Sequence, residues 1–179
     1  MKHWQSWAIA LAVGCSMTAC VQQAVTPPSD DTAYAALLWK TLAEAHLIGP
    51  GAIHSKPFID FRPHGVIAEN VESALTVAGQ TGPVIVKRNY GGADARLDKV
   101  ATDPDHYLTS VSVMFRRPGY DSANRDWFWA EYKPDGALAH NAQGAPLAGR
   151  AVQGAGGCVA CHALAPGNDR VFSHDRYAK

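Results

Sequence analysis

Near the end of the chain, Cys158-Val159-Ala160-Cys161-His162 gathers two thiols and an imidazole into five consecutive residues. Whatever these side chains hold, the rest of the fold must be built around it, so no other stretch constrains the architecture as much. Three chemistries compete for it. A structural zinc ion takes four ligands, whereas this stretch offers at most three, and adjacent residues such as Cys161 and His162 are awkward ligands for one tetrahedral ion. A thioredoxin-like redox pair follows a strand within a βαβ pattern, and none precedes Cys158. In the third chemistry the thiols add to the vinyl groups of a haem and the imidazole ligates its iron, which uses all three residues in their order. The expected cofactor is therefore one covalent haem c, attached through Cys158 and Cys161, with His162 as the iron ligand.

Haem attachment of this kind belongs to exported proteins, and the start of the chain agrees. Lys2 and His3 precede an apolar run from position 7 to 13, too short to span a bilayer as a mature helix. That is the pattern of an export signal. Met17-Thr18-Ala19 before Cys20 resembles a bacterial lipobox, with Cys15 a poorer second candidate. Residues 1–19 are expected to be a lipoprotein-type signal peptide, and Cys20 the lipidated N-terminus. Residues 20–31, with Pro27-Pro28, read as a polar tether, and 32–179 as the haem domain. The expected location is the periplasmic side of a bacterial membrane, held by the lipid anchor; ordinary secretion to a soluble periplasmic form is the alternative. Processing removes or lipidates the first two of the four cysteines, so Cys158 and Cys161 have no second pair to bond with. Sixteen basic residues balance sixteen acidic ones, and no nucleic-acid motif occurs, so nucleic acid is not an expected partner.

Along the domain, Tyr34, Leu37, Leu38, Leu42 and Ala45 recur at three- and four-residue steps, predicting a helix capped by Asp31 or Thr32 and stopped by Gly49-Pro50-Gly51. Residues 66–70 read as a short strand and 71–77 as helical. Gly82-Pro83 is expected to turn into a β-branched strand over 84–90. Residues 108–116 alternate, with Val111, Val113 and Phe115 on one face and Ser112, Met114 and Arg116 on the other. Residues 126–132 form another strand, ended by the turn Lys133-Pro134-Asp135-Gly136, and 137–157 read as a connecting loop. Strands in series without intervening helices favour antiparallel pairing.

The residue across the iron from His162 decides what such a protein does. Met114 falls within a predicted strand and is expected in the core. The seven other histidines stand in no ligand motif, so each is read as a surface or satisfied histidine and the iron as open and five-coordinate.

Several segments in order resemble the cytochrome P-460 family, which includes the cytochromes c′-beta. They are Phe61-Arg62-Pro63-His64-Gly65 with Asn70, then Gly82-Pro83-Val84-Ile85-Val86-Lys87, then Asp126-Trp127-Phe128-Trp129-Ala130-Glu131-Tyr132 ahead of Pro134-Asp135-Gly136, then the haem pentad, then Asp169-Arg170-Val171-Phe172-Ser173. The resemblance implies an α+β fold, a mainly antiparallel β-sheet with peripheral helices in a single domain. It implies a homodimer and a pentacoordinate c-type haem. In the namesake proteins a lysine is joined to the macrocycle and hydroxylamine is oxidised; cytochromes c′-beta lack that bond and bind nitric oxide and other diatomic gases. Lys87 matches the cross-linking lysine, although Arg88 follows it where the family often has an acid.

Strand alternation sets Glu131 on the face of Trp127 and Trp129, where a carboxylate could relay protons. Lys87 and Glu131 are thus the candidate catalytic residues, a solvent-reaching lysine and an arginine-paired carboxylate being the plainer alternatives, and Arg116 and Arg117 are candidates for haem propionates or simply for solvent. Three functions follow: a hydroxylamine or nitric oxide oxidoreductase working with a redox partner protein, a non-catalytic gas-binding protein, or an electron-transfer cytochrome. The first needs the Lys87 bond or a polar distal residue, the second an apolar pocket, and the third a sixth protein ligand.

Overall fold

The structure, a computed structural model, describes residues 28–173 apart from 62, 153, 155 and 156, with the side chain of residue 151 also left aside. The expected signal, Cys15, the lipidated Cys20 and most of the tether lie outside the described residues.

Five strands form one antiparallel sheet in sequence order: β1 (Phe58–Ile59), β2 (Ile67–Val77), β3 (Gln80–Tyr90), β4 (Leu108–Arg116) and β5 (Trp127–Tyr132). Helix α1 (Asp31–Glu44) precedes them, the short α2 (Leu97–Thr102) and α3 (Pro104–Tyr107) link β3 to β4, and α4 (Cys158–His162) follows β5. Among the described residues no helix is long and apolar enough to cross a membrane. The α+β architecture with a mainly antiparallel sheet is the one expected from the sequence.

Alternation gives the sheet two apolar faces. Val84, Val86, Val111, Val113, Phe115, Phe128 and Tyr132 face α1, which contributes Tyr34, Ala35, Leu38 and Leu42, all fully buried. Burial of each of the two leucines contributes about 2 kcal/mol. Ile85, Met114, Trp127 and Trp129 point the other way and meet Val152, Val159 and Val171 from the C-terminal segment. Helices α1 and α4 therefore lie on opposite faces.

The cap of α1 is Asp30 rather than Asp31 or Thr32; its carboxylate accepts from the backbone N–H groups of Thr32 and Ala33. Asp31 is drawn off by tertiary contacts, accepting from the Tyr120 hydroxyl and the Arg150 backbone N–H, each at 2.8 Å. Residues 71–77 are not helical but continue β2, paired with β3 from Val71↔Val86 to Val77↔Gln80. Their backbone hydrogen bonds go to a neighbouring strand, a long-range choice that outweighs local preference. The turn lies at Ala78-Gly79, both with positive φ as a tight two-residue hairpin requires, and Gly82 and Pro83 sit inside β3. The loop after β5 is more ordered than a plain connector: Glu131 donates its N–H to Leu147, and bridges at Ala130↔Ala148 and Tyr132↔Leu138 cover the β5 edge.

Candidate functional site

Helix α4 is a single short turn whose Val159 is buried in the sheet-facing cluster. Cys158 and Cys161 are three residues apart and so share a side of that turn. Both thiols are free; Cys158 is half-buried and Cys161 exposed. Burial, and then the Glu131 charge, push the Cys158 thiol up to about 11.

His162 is held from several sides. Its Nδ1 lies 2.8 Å from the Arg170 carbonyl oxygen, so Nδ1–H donates there and the lone pair of Nε2 is left for a metal. The accepting turn is itself fixed: Trp127 Nε1 donates to the Asp169 carbonyl at 2.7 Å, and the Asp169 side chain accepts from the Val171 N–H at 2.9 Å. Burial lowers the His162 pKa, and the Arg170 bond opposes that only in part. The ring contacts Trp129 at 4.7 Å, Phe172 at 5.4 Å and His64 at 6.2 Å between centroids.

On the same sheet face, register aligns one polar row across the strands: Asn70, Lys87, Ser112 and Glu131. Lys87 Nζ is paired with the Asp60 carboxylate, which is only 6% exposed. His64, from the loop between β1 and β2, brings Nδ1 to 3.3 Å from Ser112 Oγ, which also accepts from the Asn89 amide at 2.9 Å. Burial first, then the charges of Lys87 and His162, push the His64 ring down to about 4, so it is neutral. Among the described residues Glu131 has no ion pair; it ends the row near Cys158.

The structure thus brings Lys87, Glu131, Cys158, Cys161 and His162 to one face of the sheet. It separates the two arginines. Arg116 stays on this face, over Trp127 at 4.7 Å, and lines a cavity of about 530 Å³ with Arg125 and Asp169. Arg117 instead lies 3.9 Å over Tyr34 on the α1 side and donates to the Pro28 carbonyl, so it is not a propionate ligand but a clamp on α1. Met114 packs against the tryptophans, buried as expected. Arg88 alternates to the face opposite Lys87 and pairs with Glu69. His64 was read from sequence as an ordinary histidine. The signal that could have singled it out is its place in Phe61-Arg62-Pro63-His64-Gly65, because its approach to His162 depends on how that loop folds over the sheet.

A flat, largely apolar macrocycle fits what surrounds His162. Phe172, 42% exposed, contacts the His162 ring beside the wall of Trp127, Trp129 and Met114, and Phe61 and Leu164 are likewise large apolar side chains left 76% and 78% exposed. Among the described residues Trp129 Nε1 is a buried donor without a partner, the kind of group that a polar atom of a bound cofactor could satisfy. Among the described residues no three His, Cys, Asp or Glu side chains converge to hold a bare ion.

Comparison with known proteins agrees with this geometry. The family model described as Cytochrome P460 matches residues 65–173, which span β2 to β5, Lys87, Glu131 and all of α4. No curated protein and no solved structure matched the chain. The matched segment covers more than half of the sequence and carries β2 to β5, the wall and the cysteine–histidine turn, and the chain accordingly belongs to the cytochrome P460 family of haem proteins.

Proposed function

We propose that this is an exported haem c protein that oxidises a small nitrogen species, hydroxylamine or nitric oxide, and passes the electrons to a redox partner protein. Cys158 and Cys161 would hold the haem covalently and His162 would ligate its iron; bound there, the haem would supply redox chemistry at a metal open to the nitrogen species. The observation that carries the reading is the polar row on the His162 face. Lys87, Ser112 and Glu131, joined by His64, give a site with proton-handling groups rather than a purely apolar pocket.

Glu131 has the role of proton acceptor, since oxidation of an N–H or O–H substrate releases protons that must leave the apolar wall. Trp127, Trp129 and Met114, all buried, form that wall. Lys87 is the candidate for a bond to the macrocycle. Its pairing with Asp60 is the contact that such a bond would replace. The lipid anchor at Cys20, the periplasmic location and a homodimer complete the proposal. The gas-binding alternative is favoured by the aromatic wall alone.

The test is a digest of the haem-loaded protein read by mass spectrometry, together with hydroxylamine turnover. A peptide containing Lys87 tied through porphyrin to the Cys158–Cys161 peptide, with hydroxylamine consumed, supports the oxidoreductase. Haem-loaded protein that binds nitric oxide without consuming hydroxylamine, and without that cross-linked species, leaves the gas-binding reading in its place.

A further inference from the structure

The sequence leads to an iron open on the side opposite His162, and the structure sets the ring of His64 beside that of His162. Among the described residues His64 is the one histidine in ring contact with His162. Two imidazoles bound through nitrogen to opposite sides of one metal atom have ring centres about 6 Å apart, from two bonds of about 2 Å and about 1 Å between each nitrogen and its ring centre. The His64 and His162 centres are 6.2 Å apart. Rotation about the axis through the metal leaves the angle between such rings free, so their 77° is compatible with shared ligation.

The hydrogen bonds point the same way. A serine hydroxyl oxygen has two lone pairs. That of Ser112 takes the Asn89 amide with one, at 2.9 Å, and the other is available to Nδ1–H of His64 at 3.3 Å. His64 then keeps its Nε2 lone pair, as His162 does with Nδ1 on the Arg170 carbonyl. The loop that carries His64 is pinned as well. The Asp60 N–H donates to the Val66 carbonyl at 2.9 Å, and Gly65, at φ 106°, lies so near the Tyr90 carbonyl that a Cβ would sit 3.0 Å from it.

We infer that His64 is a second axial ligand, occupying the iron face opposite His162 until a small ligand displaces it. This rests on the haem reading above and adds a gate to it: the imidazole is a displaceable ligand with which an incoming nitrogen species competes. A sixth ligand that no small molecule displaces would instead be that of an electron-transfer cytochrome. Ser112 is then a positioning residue, holding the ring by Nδ1.

The experiment compares haem-loaded wild type with His64→Ala and Ser112→Ala by absorption and electron paramagnetic resonance, with haem attachment checked by mass. Ferric wild type is expected to be six-coordinate and low-spin, His64→Ala high-spin, and added imidazole to restore the low-spin form. Ser112→Ala, which keeps the ligand but removes its Nδ1 acceptor, is expected to show a mixture, and it serves if His64→Ala does not fold. If His64 occupies the iron nine times in ten, carbon monoxide binds ferrous His64→Ala about tenfold more tightly than wild type. A high-spin wild type with haem attached, or a His64→Ala spectrum unchanged from a low-spin wild type, overturns the assignment of His64 and leaves the haem reading standing. Protein without covalently attached haem overturns both.

Discussion

Glu69→Ala is expected to be among the most damaging single substitutions outside the haem site, because it leaves a buried cation alone. Glu69 and Arg88 are paired across β2 and β3, with side chains 2% and 5% exposed, and their closest N···O distance is 2.5 Å. Arg88 also donates to the Leu47 carbonyl at 2.6 Å and the Ile53 carbonyl at 3.1 Å, and the second carboxylate oxygen of Glu69 accepts from the Tyr90 hydroxyl at 2.7 Å. His54 and the Ser55 N–H reach the same carboxylate, so the pair ties the segment after α1 to the sheet. Removing the acid from such a pair costs about 3–5 kcal/mol, mostly the penalty of the stranded guanidinium. With an m-value of about 2 kcal/mol/M, the urea midpoint falls by about 2 M. The assay is equilibrium urea unfolding at pH 7 followed by circular dichroism.

The double variant Glu69→Leu, Arg88→Met removes both charges and should recover part of the loss. The pH dependence has a definite sign. Burial alone would push the Glu69 carboxyl up, but the bonds from Tyr90, His54 and Ser55 and the Arg88 charge outweigh it and hold it below the ordinary range. A carboxyl lowered by folding stabilises above its unfolded pKa, and the contribution is lost as pH falls through the folded value. The gap between wild type and Glu69→Ala should therefore narrow below about pH 4. A loss smaller than about 1 kcal/mol at neutral pH, the scale of an exposed pair, would refute the argument.

Three further substitutions follow from single contacts. Trp127→Phe removes the N–H that fixes the Asp169 carbonyl and should cost about 1 kcal/mol in urea unfolding, with faster amide exchange at Val171. Gly82→Ala drives a methyl into the Arg116 backbone carbonyl on β4; a loss of about 1–3 kcal/mol in the same assay is expected, and an unchanged midpoint would contradict it. Leu38→Ala opens the core between α1 and the sheet at a fully buried position and should cost about 2–5 kcal/mol, seen as a lowered Tm.

Much of this protein is written in local sequence. The run of apolar residues at helical spacing defines α1, and alternation over 108–116 and 126–132 defines β4, β5 and the faces of their side chains, because these patterns depend on backbone periods of a few residues. Cys158, Cys161 and His162 stand out as candidate haem ligands for the same reason: the proposed chemistry needs them within one turn. What needed the tertiary structure is everything set by register or by a loop's approach to the sheet. Residues 71–77 are a strand because β3 supplies partners across the Ala78-Gly79 turn. Arg88 is buried rather than solvated because Glu69 stands opposite it, while Lys87, one residue earlier, faces the site and meets Asp60 from another segment. His64 stands 98 positions before His162 in the numbering, and no spacing rule links them; the loop closing over Ser112 brings their rings together. Local sequence therefore determines which residues are candidates to hold a haem, whereas the groups brought around them come from contacts between distant parts of the chain, because register and loop packing are set only when the chain folds.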